Sequence, residues 1–185
     1  MTEQKENKKT LSQRLTESAF DWISAMVIAM LVLMVVFTFF LRVVGVEGTS
    51  MQPNLETNDR LLLWCFSDNY QPEDIVVINR YTAKPLVKRV IAVGGDTIRI
   101  DEEGHVFVNE QRITEPYARG LTVQRDTTKK VAIPEGYLFV MGDNRTVSLD
   151  SRSSEVGLIP VKDVVGKTLL RVWPFDKING VSDLR

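Results

Sequence analysis

Hydrophobic positions along the chain follow two unlike patterns. From Ile23 to Leu41, ISAMVIAMLVLMVVFTFFL, nineteen residues run without a charge, a proline or a glycine. As a helix at ~1.5 Å per residue this run spans about 28 Å, close to the ~30 Å hydrocarbon thickness of a bilayer. The pattern predicts one membrane crossing over 22–42. A cleavable leader is the rival reading, but its apolar core would be ~7 to 15 residues long and followed by an Ala-x-Ala-like site. Here the run is longer and RVVGVEG follows it, so an uncleaved anchor is expected. Leu11 to Asp21 can continue the helix, and the polar, mixed-charge stretch from Met1 to about Lys9 reads as disordered.

After Arg42 the period changes. Short β-branched and aromatic runs recur: LLLWCF (61–66), DIVVIN (74–79), LVKRVIAV (86–93), DTIRI (96–100), HVFVN (105–109), KVAI (130–133), GYLFVM (136–141) and GKTLLRVW (166–173). Turn signals at GGD, DEEG, IPEG and GDNR separate several of them. The fold class expected is mainly β, with mostly antiparallel strands behind one N-terminal transmembrane helix. No second long helix and no internal repeat is expected. Residues 114–129, TEPYARGLTVQRDTTK, lack alternation and suggest a loop or small hairpin inserted between core strands.

Charge adds orientation. Lys5, Lys8, Lys9 and Arg14 precede the apolar run, whereas Arg42 and Arg60 are the positive residues in the comparable stretch after it. The positive-inside rule keeps the N-terminus cytoplasmic. The expected organisation is a cytoplasmic tail (1–21), a membrane anchor (22–42) in the cell membrane, and an extracytoplasmic β domain (43–185), with Trp22 as an interfacial anchor. The net charge of −1 argues against a nucleic-acid partner, which would show as a basic excess. The single cysteine, Cys65, excludes an internal disulfide and a Cys-based zinc site, and is expected to be a buried, inert thiol.

Candidate chemistry begins at GTSMQPNL (48–55), where Ser50 stands among small residues. A serine nucleophile needs a general base within hydrogen-bond reach. The one histidine, His105, follows a hydrophilic turn and reads as a solvated residue, which makes a Ser-His-Asp triad and a His-ligated metal poor readings. No cofactor is expected. A Ser-Lys dyad remains, and it requires a lysine whose pKa is pulled from ~10.4 toward neutrality by loss of water. Lys88 fits: strand alternation puts it on one face with Leu86, Val90 and Ala92, and puts Arg89 opposite with Val87, Ile91 and Val93. An edge strand whose lysine escapes to solvent explains the same pattern equally well. Lys84, Lys129, Lys130 and Lys167 have polar or terminal surroundings and are weaker candidates.

SMQPNL (50–55), KRVIAVGGD (88–96) and GDNRTVSLDSR (142–152), in this order after an N-terminal anchor, resemble the three signature boxes of bacterial type I signal peptidases. The resemblance reaches from the anchor to about Trp173. It implies the signal-peptidase catalytic fold, which self-cleaving repressors share, and a membrane-bound serine endopeptidase that removes signal peptides from secreted preproteins after small residues. By position it makes Ser50 the acyl-forming nucleophile and Lys88 its general base. Ser148 is then the residue that orients the lysine amine, and Arg89, Asp143, Arg145, Asp150 and Arg152 form a buried polar scaffold. The resemblance further implies that the substrate lies as an extended strand between Val44–Ser50 and Leu86–Lys88, over shallow pockets lined by Val46, Met51, Leu55, Leu86 and Val87.

Three positions depart from the common pattern. Asn54 replaces Thr, a change expected to be tolerated. Val147 replaces Asn, so support beside Ser148 is expected to be weaker or rebuilt. Gly48 has no hydroxyl for the oxyanion hole, which places more weight on the Ser50 backbone N–H. Two other functions compete. A self-cleaving Ser-Lys repressor would carry a DNA-binding head and an Ala-Gly or Cys-Gly bond, and the chain has a membrane span and neither dipeptide. A catalytically weak or inactive membrane-anchored binding module would have lost a reacting residue, and both Ser50 and Lys88 are present.

Overall fold

The apolar run forms one helix, α1 (Leu11–Phe39). Its segment Ser18–Phe39 has a mean hydropathy of 2.5 and none of it is buried against protein, which is the exposure expected of a lipid-facing helix. The structure, a computed structural model, describes residues 11–67, 69–79, 85–125 and 130–180, without side chains for 11–17 and Asn179. The expected disorder at 1–9, the weaker candidates Lys84 and Lys129, and part of the 114–129 segment lie outside the described residues. The helix stops before the end of the apolar run: Leu41 and Arg42, expected in the anchor, open strand β1 (Leu41–Gly45) and pair with Trp64 and Leu63. Pairing with a neighbouring strand overrides the local apolar pattern there.

The chain divides after Phe40, and the unit that follows is built from β strands. These are β2 (Arg60–Trp64), β3 (Ile75–Ile78), β4 (Leu86–Val93), β5 (Thr97–Ile100), β6 (Val106–Val108), β7 (Gln111–Arg112), β8 (Lys130–Ala132), β9 (Tyr137–Met141), β10 (Ile159–Pro160), β11 (Val164–Trp173) and β12 (Asn179–Gly180). The larger sheet runs β1-β2-β11-β3-β4-β9-β10 with β12 added to β11, and the smaller runs β7-β6-β5-β8. Every strand pair among the described residues is antiparallel. The mainly β, antiparallel class read from the alternating runs is the class observed, and its strands form two sheets.

Three apolar clusters hold this unit together. One gathers Ile91, Ala92, Phe139 and Met141 of the larger sheet against Ile98, Ile100 and Val106 of the smaller, and so joins the two sheets. A second packs Val76, Ile78, Val90 and Val140 with Val156 and Ile159. The third packs Val46, Met51 and Leu55 with Leu61, Leu63, Ile75, Val77 and Val87. Each buried side chain of this size contributes roughly 1.5–3 kcal/mol.

Strict alternation fails within β4. Leu86 and Val90 share one cluster and Val87 and Ile91 face away from it, as period two requires, but Ala92 packs with Ile91 while Val93 returns to the Val90 cluster. The cause is a register shift against β9 between Val90 and Ala92, an extra residue that inverts parity beyond it. Lys88 and Arg89 precede the shift and keep opposite faces. Cys65 is half-buried, where full burial was expected, because β2 ends at Trp64 and the chain turns outward to an exposed Phe66.

Candidate active site

Ser50 lies in the loop between β1 and β2, and the loop is closed on itself. Val46 N–H donates to Asp59 O at 2.8 Å, Asn58 N–H to Val46 O at 2.9 Å, and Leu55 N–H to Met51 O at 2.9 Å. Beneath it Val46, Met51 and Leu55 are buried, so the loop has an apolar floor. Gly48 takes φ +87°, a left-handed conformation that a glycine adopts without steric cost.

Lys88 comes to this loop from the middle of β4. Its Nζ lies 2.8 Å from Ser50 Oγ, and the residue is 2% exposed. Val76 is its register partner on β3, and Leu86 and Val90 share its face. Loss of water pulls the amine pKa down from 10.5 to about 8, against the opposing pull of the Asp150 and Asp143 carboxylates and with help from the Arg152 charge. Desolvation therefore wins over two nearby anions. The lysine does not escape to solvent: β3 pairs with it on one side, and its amine turns to the Ser50 hydroxyl, although β9 joins β4 only from Arg89 onward.

The polar residues of 142–152 supply the walls. Arg89 makes a two-pronged pair with Asp143, Nε to Oδ1 at 2.8 Å and Nη2 to Oδ2 at 2.7 Å, with both side chains inaccessible to solvent. Arg152 grips Asp150 in the same manner at 2.8 and 2.9 Å and also donates to Arg145 O. Burial pushes the Asp150 carboxyl up, but the Arg152 guanidinium, Ser148 and the Gly142 N–H outweigh it and hold the acid below its usual range. Ser148 is fully buried, and its hydroxyl makes no hydrogen bond of normal geometry despite lying beside that carboxylate. No Ser148–Lys88 bond is formed among the described residues. Gly142 brings these parts together: a Cβ there would stand 2.3 Å from Ser148 Oγ and 2.5 Å from Ser50 O.

The other expected site residues fall as follows. Val46, Met51, Leu55 and Val87 are buried in one cluster under Ser50, and Leu86 is half-buried in another. Val147 is exposed, so its side chain leaves no gap beside the buried Ser148. His105 belongs to the β5–β6 turn of the smaller sheet and binds Asp101 at 3.0 Å. With Glu103 these two bring ligating atoms within 4.8 Å of one another, on a surface turn separate from Ser50. Lys130 pairs with Glu110 and Lys167 with Asp74.

Several participants carried no sequence signal. Glu115 takes Arg145 in a two-pronged pair at 2.6 and 2.9 Å, and Thr122 accepts from the same guanidinium at 2.7 Å. Tyr117 is buried with the Arg89 guanidinium 4.1 Å above its ring. Asn144 N–H donates to Ser50 O at 2.9 Å and its side chain to Thr49 O at 3.2 Å. Asn54, noted only as a departure, donates to Tyr117 O at 2.8 Å and to Asp143 Oδ2 at 2.7 Å. Glu115, Tyr117 and Thr122 all come from the segment read as an inserted loop.

Comparison with known proteins bears on this arrangement. The family described as signal peptidase, peptidase S26, matches residues 19–173. Signal peptidase I of Bacillus licheniformis is 34% identical, over 97% of this chain and 98% of its own length. Signal peptidase I T of Bacillus subtilis is likewise 34% identical over 97% and 98%. A crystal structure of a signal peptidase I from Enterococcus faecalis is 25% identical and covers 54% of this chain and 96% of its own, with a TM-score of 0.46. With a family match over most of its length and full-length relatives above 30% identity, the chain belongs to the signal peptidase family, peptidase S26.

Proposed function

We propose that Ser50 and Lys88 carry the reaction of this signal peptidase, the hydrolytic removal of N-terminal signal peptides from exported preproteins. The observation that supports the assignment is the 2.8 Å contact between the Ser50 hydroxyl and a lysine amine deprived of water. Neutral Lys88 accepts the Ser50 proton as Oγ attacks the scissile carbonyl carbon. The Ser50 N–H stabilises the resulting oxyanion, since Gly48 has no hydroxyl to add. The lysine then gives its proton to the leaving amine, and an ester between Ser50 and the signal peptide remains. Water, deprotonated by the same amine, hydrolyses that ester and restores both groups. Arg89, Asp143, Arg145, Asp150 and Arg152 hold the surrounding frame, and Ser148, whose buried hydroxyl lies beside Asp150 without a hydrogen bond of normal geometry, can turn to orient the amine.

The substrate adds as a strand. Leu86, Val87 and Lys88 pair with β3 on one side, while β9 begins its pairing only at Arg89, so their other edge is open among the described residues. An extended peptide along that edge would meet Val44–Ser50 and place its side chains alternately toward the protein. The closely packed floor of Val46, Met51, Leu55 and Val87 leaves room for small side chains and favours cleavage of Ala-x-Ala type sites. The apolar helix anchors the chain in the membrane; the tail lies in the cytoplasm and the β domain outside, as the charge asymmetry requires.

The test is cleavage of a precursor with an Ala-x-Ala site by purified wild type, Ser50→Ala and Lys88→Ala. Loss of cleavage in both folded variants is expected. Cleavage by Lys88→Ala at the wild-type rate overturns the dyad.

A further inference from the structure

We infer that Arg171 is a positioning residue for the reaction: it holds the loop that carries Ser50 against β11, so that the Ser50 hydroxyl stays within reach of Lys88. The inference rests on the reading of Ser50 and Lys88 as the reacting pair.

Arg171 is an arginine inside a long apolar strand, and it is almost wholly buried. A cation there is costly unless each donor finds an acceptor. Three of its acceptors are distributed in a particular way. Nη1 donates to Asp59 Oδ2 at 3.1 Å and to Asn54 O at 3.2 Å, while Nε donates to Lys177 O at 2.8 Å. Two of these three lie on the Ser50 loop. Asp59 ends that loop: its carboxylate also takes the Glu56 N–H at 2.9 Å, and its carbonyl takes the Val46 N–H that closes the loop.

Asn54 is held from two directions. Arg171 binds its backbone carbonyl, and its side-chain amide donates to Asp143, which is locked to Arg89, the neighbour of Lys88. The loop is thereby strung between β11 and β4, with Ser50 inside the span. Beyond satisfying a buried donor, the bond to Asn54 O fixes where the turn after Ser50 stands relative to β11, while the Asn54 amide fixes it relative to β4 through Asp143 and Arg89. The planar guanidinium can serve Asp59, Asn54 and Lys177 together, and a lysine ammonium in its place would reach fewer of them. Displacement of a reacting group by about 1 Å can cost about 10²-fold in rate.

The experiment uses the full chain in detergent micelles and a peptide substrate spanning an Ala-x-Ala site. It compares wild type with Arg171→Gln, Arg171→Lys, Asp59→Asn, Ser50→Ala and the core variant Ile98→Val of the smaller sheet. Arg171→Gln is expected to lose about 10²-fold in kcat with KM unchanged. The pH at which activity half-rises should also stay in place, because the Lys88 side of the pair is untouched. Arg171→Lys should recover part of kcat. Ile98→Val should lower the Tm and leave kcat at low temperature as it is. Wild-type kcat in folded Arg171→Gln, or a loss confined to KM, overturns the inference. If Arg171→Gln does not fold, wild-type kcat in both Arg171→Lys and Asp59→Asn overturns it equally. Activity retained by Ser50→Ala would instead remove the dyad on which it stands.

Discussion

The side-chain amide nitrogen of Asn54 lies 2.7 Å from Asp143 Oδ2, across eighty-nine residues of sequence. This one bond joins the loop of Ser50, the proposed nucleophile, to the ion pair beside Lys88, the proposed base. The same nitrogen donates to Tyr117 O, so Asn54 serves two acceptors with its two protons. A threonine has one hydroxyl proton and can serve one. Asn54→Thr should therefore lower the Tm slightly. Asn54→Ala, which leaves both acceptors without this donor, should cost about 1–3 kcal/mol. Asn54→Asp sets a second carboxylate against Asp143 and should be the least stable. Thermal unfolding of the three checks the order, and kcat should fall in the same sequence.

The proposed role of Lys88 as base implies a pH profile with a definite sign. The base must be neutral, so kcat/KM should rise with pH and half-rise near the amine pKa of about 8. A half-rise above 10 would mean that the amine is hydrated.

Stability follows the same group. Between about 8 and 10.5 the unfolded chain carries a proton on Lys88 that the folded chain lacks, so folding is favoured increasingly as pH rises through that window. The gain at its top is about 3 kcal/mol, and below pH 8 that amount is a standing cost of the buried ammonium. Lys88→Met should therefore abolish cleavage, raise the Tm at pH 7 and flatten this rise. A Tm that falls in Lys88→Met would contradict burial as the source of the low pKa.

Gly142 is needed for its lack of a side chain. The Cβ of an alanine there would come within 2.5 Å of Ser50 O, a backbone atom, and 2.3 Å of Ser148 Oγ. The Ser148 hydroxyl can rotate away, but its Cβ, 2.6 Å from the same point, cannot, and the Ser50 carbonyl cannot move without moving the Ser50 side chain. Gly142→Ala should lose about 10²-fold or more in kcat. Gly48 offers the contrast: a Cβ there meets nothing within 4 Å, and only its φ of +87° resists. Gly48→Ala should cost about 1–2 kcal/mol of loop strain and less activity than Gly142→Ala. Parallel kinetics of the two alanine variants separate crowding from backbone strain.

What could be read from sequence was local in origin. The helix, the strand runs and the face of Lys88 follow from periodicities of a few residues; these left open whether the lysine is buried or at a solvent edge, and the family resemblance supplied the proposed roles of Ser50 and Lys88. What escaped was long-range or depended on a single extra residue. The register shift after Val90 exchanged Ala92 and Val93, and no pattern marks such a shift. Strand β1 was missed because its first residues belong to an apolar run whose composition already had an explanation. Arg171 carried no signal of its own, since its partners Asp59 and Asn54 lie more than a hundred residues away.

Glu115 is the strongest instance, and it yields a prediction. It stands in a polar stretch without alternation, yet its carboxylate covers the buried Arg145 guanidinium with two bonds. Arg145 in turn donates from Nε to Gly142 O at 3.0 Å, and Gly142 is the residue on which Ser50 and Ser148 close. Burial works against the Arg145 charge, but the Glu115 carboxylate overcomes it and raises the guanidinium pKa. Glu115→Ala strands that charge with Thr122 Oγ1 and backbone oxygen, at a cost of about 3–5 kcal/mol. Glu115→Gln keeps one acceptor and should cost less. Activity at a temperature where each variant is folded should drop with the loss of Arg145 support, and most in Glu115→Ala. If Glu115→Ala matches wild type in both Tm and kcat, the segment is a surface loop after all and Arg145 is held by Gly142 and Thr122 alone.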